Sequence, residues 1–539
     1  MRKSLISKLF FISWLLYFGK VFWNLISFDS QGNLLIHHPF VWADWAAHFT
    51  MGSAFAYRSL VITESPFLIN STFSYPFAIN WLTALLIKVG IPFFSSFVVL
   101  SFVLCLATVG SLFLLYLRFF RSRAVAILSS CIFLLNGGWG AFSAWQSWQN
   151  GAQWFTNQPD TGIRYINIIH SMLLPQRAIT LGLSWGLLIL WSAHAVIFNA
   201  GKDAQLRRSA VIGIGWGLLP LIHTHTFVAV SGILTSWILS QCFFRSRATS
   251  KLYWQKNWAV VLGLATLVAT PILYYFFYGR AQSFIQWQPG WLAPEEQLNW
   301  ITFWWLNWGI TLPLALWSVI KIAKSKIATK LQTLSTVLPF IALFIVANLF
   351  IFQPWAWDNT KLFVWASVGI SGLAGWGIWQ IARLQTTLKP LKLLLPAVAV
   401  ILFLVSIASG GLDALQLIRN DRPGYVMYTS EELALAEWVK ANTSADSTWA
   451  TETNHNNWLY NLTGRQAVMT YPGWLWSQGY EYYAVEYDLQ QMLQLNASSQ
   501  LYEEYDIDYI AVKKPVAQPE SSFLHLLYDS SSYMIYEVQ

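Results

Sequence analysis

Asp44 and His48 stand four residues apart in Trp42-Ala43-Asp44-Trp45-Ala46-Ala47-His48, so on a helix two proton-carrying groups share one face. Trp42, Trp45, Phe49 and Phe55 give the stretch the character of a membrane interface. A carboxylate is costly there unless it is paired or functional. The plainer reading is an aspartate cap on an interfacial helix, with His48 as its partner. Arg177 ends the run His170-Ser171-Met172-Leu173-Leu174-Pro175-Gln176-Arg177, just before an apolar stretch. It either snorkels to the interface or holds a phosphate through its bidentate fork. His223 and His225 interrupt another apolar run, where histidines are expensive and tend to face a cavity. Their i, i+2 spacing does not put both on one helical face, which argues weakly for a metal pair. Asp358 and Lys361 bring an acid and a base within one turn, as a working pair or as a solvated ion pair capping the next helix. His455 lies in Asn454-His455-Asn456-Asn457-Trp458, and Trp474 and Trp476 lie in the loop 471–479. Both loops are dense in aromatic and amide groups. Such surfaces suit sugars, because rings cover C–H patches while amides bond hydroxyls. Packing against the membrane interface is the other reading.

The elements that must position these residues are mostly membrane helices. Of 539 residues, 55% are hydrophobic, 17% aromatic and only 11% charged, against about 25% charged in a soluble domain. Apolar runs recur at 5–27, 93–117, 124–142, 178–198, 211–223, 226–244, 257–278, 300–320, 333–352, 362–382 and 393–412. The fold class expected is therefore an α-helical polytopic membrane protein with about eleven spans. The first run follows Arg2, Lys3 and Lys8, contains Lys20 and lacks a small-x-small cleavage site, so it reads as a retained helix. Pro220 and His223-Thr224-His225 divide 211–244 into two short helices meeting at an apex. Cys105, Cys131 and Cys242 all fall inside apolar runs, which suits buried thiols better than bridges or metal ligands.

Charge divides the chain. Residues 1–418 carry 27 of the 33 Lys+Arg and 9 of the 25 Asp+Glu, a formal +18; residues 419–539 carry −10. Apolar runs stop at the same place, so a boundary is set near 418 between a membrane domain (1–418) and an acidic domain of ordinary size (419–539). Loops 1–8, 118–123, 199–210, 245–256, 321–332 and 383–392 hold 20 Lys+Arg and a single acid, Asp203; the opposite loops hold six. The positive-inside rule then puts the N-terminus in the cytoplasm and the C-terminal domain outside. Residues 76–90 are also apolar. Counting them as a span would reverse every later loop, so they read as a re-entrant or interfacial helix; 12 or 13 spans are the alternatives. A nucleic-acid partner is not expected once the charges are placed this way.

The acidic domain reads as a small α/β fold. A capped helix starts at Ser430-Glu431-Glu432. Strand-like runs at 448–451, 467–470, 509–512 and 533–536 alternate with helical patterns at 481–495 and 498–505. No Walker A loop, G-x-S-x-G elbow, H-E-x-x-H helix or Cys-rich zinc pattern occurs. No internal repeat suggests an inverted-repeat transporter.

Five stretches, in this order and on one face of the topology above, resemble the GT-C class of integral-membrane glycosyltransferases. They are Trp42 to His48, Leu173-Leu174-Pro175-Gln176-Arg177, Leu221-Ile222-His223-Thr224-His225, Phe352-Gln353-Pro354-Trp355-Ala356-Trp357-Asp358-Asn359 and Tyr471-Pro472-Gly473-Trp474-Leu475-Trp476. More narrowly, they are similar to the bacterial RgtA/B/C/D-like, or mannosyltransferase-like, multispanning proteins. The resemblance implies an inverting hexosyl or pentosyl transfer from a polyprenyl-phosphate carrier to a saccharide, lipid or protein acceptor, on the outer side of a bacterial plasma membrane. Asp44 would be the base or orienting carboxylate. Arg177, His223, His225 and Lys361 would receive the leaving phosphate. His48, Asp358, His455, Trp474 and Trp476 complete the expected substrate-binding set. Many members of the class carry two acids near this loop position, whereas Asp44 stands between Ala43 and Trp45. A divalent metal, Mg or Mn, is therefore left open. A transporter or flippase of lipid-linked saccharide, and a non-catalytic subunit of an envelope-polysaccharide assembly, are the competing readings.

Overall fold

The computed structural model describes residues 2–142, 156–198, 205–244, 248–277, 285–325, 330–385, 389–419, 423–516, 519 and 521–539; Asp203 falls outside them. Helices dominate because an apolar segment in lipid must satisfy its backbone within itself. Packing divides the chain into two compact units. The first is Met1–Phe22, Ser101–Tyr274 and Ser283–Asp421; the second is Trp23–Leu100, Tyr275–Gln282 and Arg422–Gln539. The chain passes for the last time from the first unit to the second at Asp421–Arg422. Residues 28–92, a long first outer loop in the topology read from sequence, belong to the same unit as the C-terminal residues.

Among the described residues seven helices are long and apolar enough to cross a membrane: Leu5–Trp23, Phe93–Phe120, Arg177–Phe198, Gln255–Phe277, Lys330–Leu349, Ala356–Ala382 and Leu394–Arg419. An eighth span results if Trp300–Trp308 and Thr311–Lys324, which meet at 103°, count as one. Of the three other runs, 226–244 lies in the 21-residue helix Thr224–Phe244, and the remaining two fall short for a physical reason. The apolar runs near 124 and 211 give helices of only 13 residues, Arg123–Leu135 and Gln205–Gly217. At 1.5 Å per residue each is about 20 Å long, short of the roughly 30 Å hydrocarbon core. Asn136 is the C-cap of the first, with Gly137 and Gly138 directly behind it. The bend in the pair sits at Gly309, whose φ of 54° lies in the left-handed region. Within 76–90 lies the short helix Ala78–Lys88, only 11 residues long.

The second unit is built on a five-stranded mixed sheet. Its order is Gln466–Ala467, Thr448–Thr451, Tyr509–Lys513, Tyr533–Val538, Leu524–Asp529. The first two pairings are parallel and the last two antiparallel. Val468, Met469, Leu475, Ile510 and Tyr536 share one core with Phe55, Phe67 and Phe73 of the 28–92 loop. That loop also joins the sheet edge: Leu68 bridges Met469, and the Ile69 amide donates to Val468 O at 3.0 Å. A second, three-stranded antiparallel sheet pairs Ile26–Phe28, Leu34–Ile36 and Tyr425–Tyr428.

The helix expected at Ser430 spans Ser430–Asn442, and its cap is Thr429, which forms a capping box with Glu432. Next to the cap, Glu431 accepts from the Ser532 amide at 2.8 Å and from the Ser531 and Ser532 hydroxyls at 2.8 and 2.6 Å. Burial opposes the charge of Glu431, but these donors outweigh it and bring the carboxyl down to about 2. A carboxyl held below its unfolded value stabilises the fold above that value and loses the effect as pH falls through the folded one. Amide protection factors at 530–533, taken relative to intrinsic exchange at each pH, are therefore expected to fall as pH drops from about 4.5 to about 2. Glu431→Gln should show the lower protection already at neutral pH. Unchanged exchange in that variant would remove the anchor.

Candidate functional site

Asp44 lies on the helix Pro39–Ser53, in the second unit. The helix begins where it does because Pro39 is pre-set for a first turn and His38 caps it, with Nδ1 accepting from the Val41 amide at 3.3 Å. Asp44 is therefore not the cap that the plainer reading suggested. It sits beyond the first turn, with its side chain half-buried. His48, one turn on, is buried, and its Nδ1 lies 2.9 Å from Asn80 Oδ1. A carbonyl oxygen only accepts, so Nδ1 carries the proton in this pair. The imidazole thus ties the Asp44 helix to Ala78–Lys88. Thr50 Oγ1 donates to Asn461 Oδ1 at 2.7 Å and fixes the other end of the helix.

The same helix meets the first aromatic loop. The Trp42 and His455 rings are 4.2 Å apart, edge to face, and Tyr471 is 5.9 Å from His455. Trp42 Nε1 donates to Val426 O at 2.9 Å. Burial lowers the basicity of His455 below the ordinary histidine value. Its Nε2 is enclosed without a hydrogen-bond partner among the described residues. Trp474, on the short helix Pro472–Gln478, spends one face on Phe67 (5.7 Å) and Tyr471 (5.6 Å). Trp476 on the same helix is 48% exposed. Trp474 thus packs within the unit, whereas Trp476 faces outward.

The cationic residues lie in the first unit. His223 and His225 are both buried, and their rings stack at 5.5 Å. The i, i+2 spacing allows this because His223 is not helical. It takes an extended backbone (φ −166°, ψ 113°) between Leu219–Ile222 and Thr224–Phe244. His223 Nδ1 accepts from the Thr226 amide at 3.2 Å and is 2.9 Å from Thr226 Oγ1. With Nδ1 accepting, the neutral ring carries its proton on Nε2 and can donate from there. His225 lies in the field of both Lys361 and Asp358. Those two form an ion pair at 3.0 Å, with side chains 13% and 16% exposed, so it is not the solvated pair of the simpler reading. Arg177 heads the helix Arg177–Phe198 and is 1% exposed, with Nε donating to Ser101 Oγ at 3.1 Å. Enclosed by protein, it does not reach out as a snorkelling side chain would.

Sequence reading missed the residues that hold this arrangement. His38, Asn80, Thr226 and Trp365 bond the named groups or cap their helices, and Trp365 Nε1 donates to Thr226 Oγ1 at 3.2 Å. The His-Pro pair was a usable signal for the first; nothing in sequence marks the others. Gly182 lets Arg177–Phe198 approach, because a Cβ there would lie 2.7 Å from Thr226 Oγ1 and 3.1 Å from His223 Cβ. Gly182→Val is expected to cost about 1–3 kcal/mol by overpacking and to displace His223. Thermal unfolding in detergent checks it, and a variant as stable as the parent would show that the helices yield freely.

No protein-family model matches the sequence, and no curated protein matches it. Solved structures do. The Archaeoglobus fulgidus oligosaccharyltransferase superposes with a TM-score of 0.57 over 95% of this chain and 70% of its own, at 12% identity. A mutant of the mycobacterial arabinofuranosyltransferase AftD gives 0.57 over 98% of this chain and 41% of its own, at 13% identity. ArnT from Cupriavidus metallidurans, bound to undecaprenyl phosphate, gives 0.51 over 99% and 98%, at 9% identity. The likeness covers 95% or more of this chain in each case: this is a multi-pass membrane protein with the fold of the GT-C glycosyltransferases.

Proposed function

We propose that the protein is a glycosyltransferase that takes a sugar from a polyprenyl-phosphate carrier and passes it, with inversion, to an acceptor hydroxyl outside a bacterial plasma membrane. The N-terminus would then be cytoplasmic and the acidic residues 419–539 extracytoplasmic. The observation that carries this reading is Asp44, a half-buried carboxylate on a helix that His38 already caps, in a chain of GT-C fold. The acceptor oxygen attacks the anomeric carbon as its proton passes to Asp44, and the bond from that carbon to the phosphate oxygen breaks. The phosphate leaves as an anion, for which Arg177, His223 Nε2–H, His225 and Lys361 offer charge and donors. Asp358 holds Lys361 in place, and His48 holds the Asp44 helix. His455 and Trp476 offer ring faces to an acceptor sugar, and Trp474 backs Tyr471, which neighbours His455. Among the described residues no three His, Cys, Asp or Glu side chains gather as a metal site requires, so no step is assigned to Mg or Mn.

Purified protein incubated with a panel of labelled polyprenyl-phosphate sugars and mixed saccharide, lipid and peptide acceptors tests this. A labelled product is expected. No product from any donor, together with donor movement across proteoliposomes, would replace the enzyme with a flippase.

A further inference from the structure

Within the first unit, the C-terminal ends of the helices Phe93–Phe120, Arg177–Phe198 and Thr360–Ala382 meet the N-terminal end of Lys330–Leu349. They enclose a cavity of about 550 Å³. None of its lining residues serves the chemistry above. Arg118, Arg121 and Lys330 line it, and among the described residues no Asp or Glu does. Arg118 stands 5.0 Å over the Trp191 ring and in the field of both Arg121 and Arg208. Among the described residues no carboxylate lies within ion-pair distance of Arg118 or Arg121. Like charges held together repel unless an anion joins them. His194, 5% exposed, lines the same cavity. Its Nε2 is 3.3 Å from Thr336 Oγ1, whose own hydrogen goes to Gln332 O at 2.8 Å. Nδ1 has no partner among the described residues.

The geometry points to a binding site for the phosphate of an anionic phospholipid headgroup in this cavity. Two guanidinium groups and an ammonium offer more than enough donors and positive charge for the two free oxygens of a phosphodiester that brings no cation of its own. The lipid source follows from position. The walls are ends of membrane-crossing helices, and Trp191 and Trp376 line the cavity as tryptophans do at headgroup depth. Basic pockets between such helices are the usual receptors for anionic headgroups.

The test uses the full chain, delipidated in detergent and titrated with dioleoylphosphatidylglycerol or dioleoylphosphatidylcholine, with bound lipid read by native mass spectrometry. The glycerol lipid is expected to bind roughly tenfold or more tightly than the choline lipid. Arg118→Gln and Arg121→Gln should each weaken it about fivefold. Arg123→Gln removes an exposed charge on the same loop that does not line the cavity, and should leave binding unchanged. Equal weakening by Arg123→Gln would reduce the effect to diffuse surface attraction and overturn the site. Displacement of the lipid by millimolar inorganic phosphate would assign the cavity to a soluble anion and overturn the lipid. If Arg118→Gln does not fold, the exposed Arg121 carries the test alone.

Discussion

Asp44→Asn is expected to lower the rate of sugar transfer by about 10²- to 10⁴-fold, the usual contribution of a positioned base. The amide has the shape of the carboxylate but cannot take the acceptor's proton. It should leave the helix intact, because the cap is His38 and the anchors are His48 to Asn80 and Thr50 to Asn461. Interactions made only in the transition state lower kcat rather than raise KM when removed. The expected result is therefore a collapse of kcat with little change in KM for donor or acceptor. Initial rates with purified protein and unchanged thermal unfolding check it. Full activity would take Asp44 out of the chemistry. Loss of activity together with loss of stability would make it a structural carboxylate.

The site was legible where chemistry is local. Asp44 and His48 at i, i+4 do lie on one helix, and the Asp358–Lys361 spacing does yield an ion pair. The histidine pair was read through helical periodicity, and the break at His223 is what stacks the two rings. A backbone that leaves the helix for a single residue escapes any periodic reading. Long-range pairing was equally invisible. The strand Leu524–Asp529 has four of six residues exposed, so it shows neither alternation nor a continuous apolar run. The joining of Phe67 and Leu68 to the sheet edge crosses some four hundred residues of sequence. Helix lengths were least legible at 124–142 and 211–223, where hydropathy counts apolar residues but not the glycines and prolines that end a helix early. Asp413 is the reverse case: an acid in a strongly apolar run. It is fully buried on Lys389–Arg419, where it accepts from the Thr156 amide at 3.1 Å and from the Thr156 hydroxyl.

Arg465→Met is expected to destabilise the second unit by about 3 kcal/mol or more, since it strips donors from several enclosed carbonyls at once. A helix leaves its last four carbonyls unsatisfied, and a cation at that end also meets the negative pole of the helix. Arg465 answers both needs for Ser430–Asn442. Its Nη2 donates to Thr443 O at 2.7 Å and to Val439 O and Lys440 O at 3.3 Å each, and Nη1 donates to Thr463 O at 3.1 Å. Burial depresses the guanidinium's pKa, with Asp446 opposing, so this is a charge the fold retains only by satisfying it. Lysine cannot reproduce the fork, so Arg465→Lys should fall between the two. Exchange of the 436–443 amides should quicken about a hundredfold in Arg465→Met, the factor that corresponds to 3 kcal/mol. The effect should also reach the chemistry. The neighbouring Gly464 has φ +73°, and a Cβ there would lie 2.6 Å from Ser53 O, so this turn seats the end of the Asp44 helix. Arg465→Met should therefore lose transfer and amide protection together, whereas Asp44→Asn should lose transfer alone. If Arg465→Met kept full protection, the turn at 464–465 would not be what holds that helix.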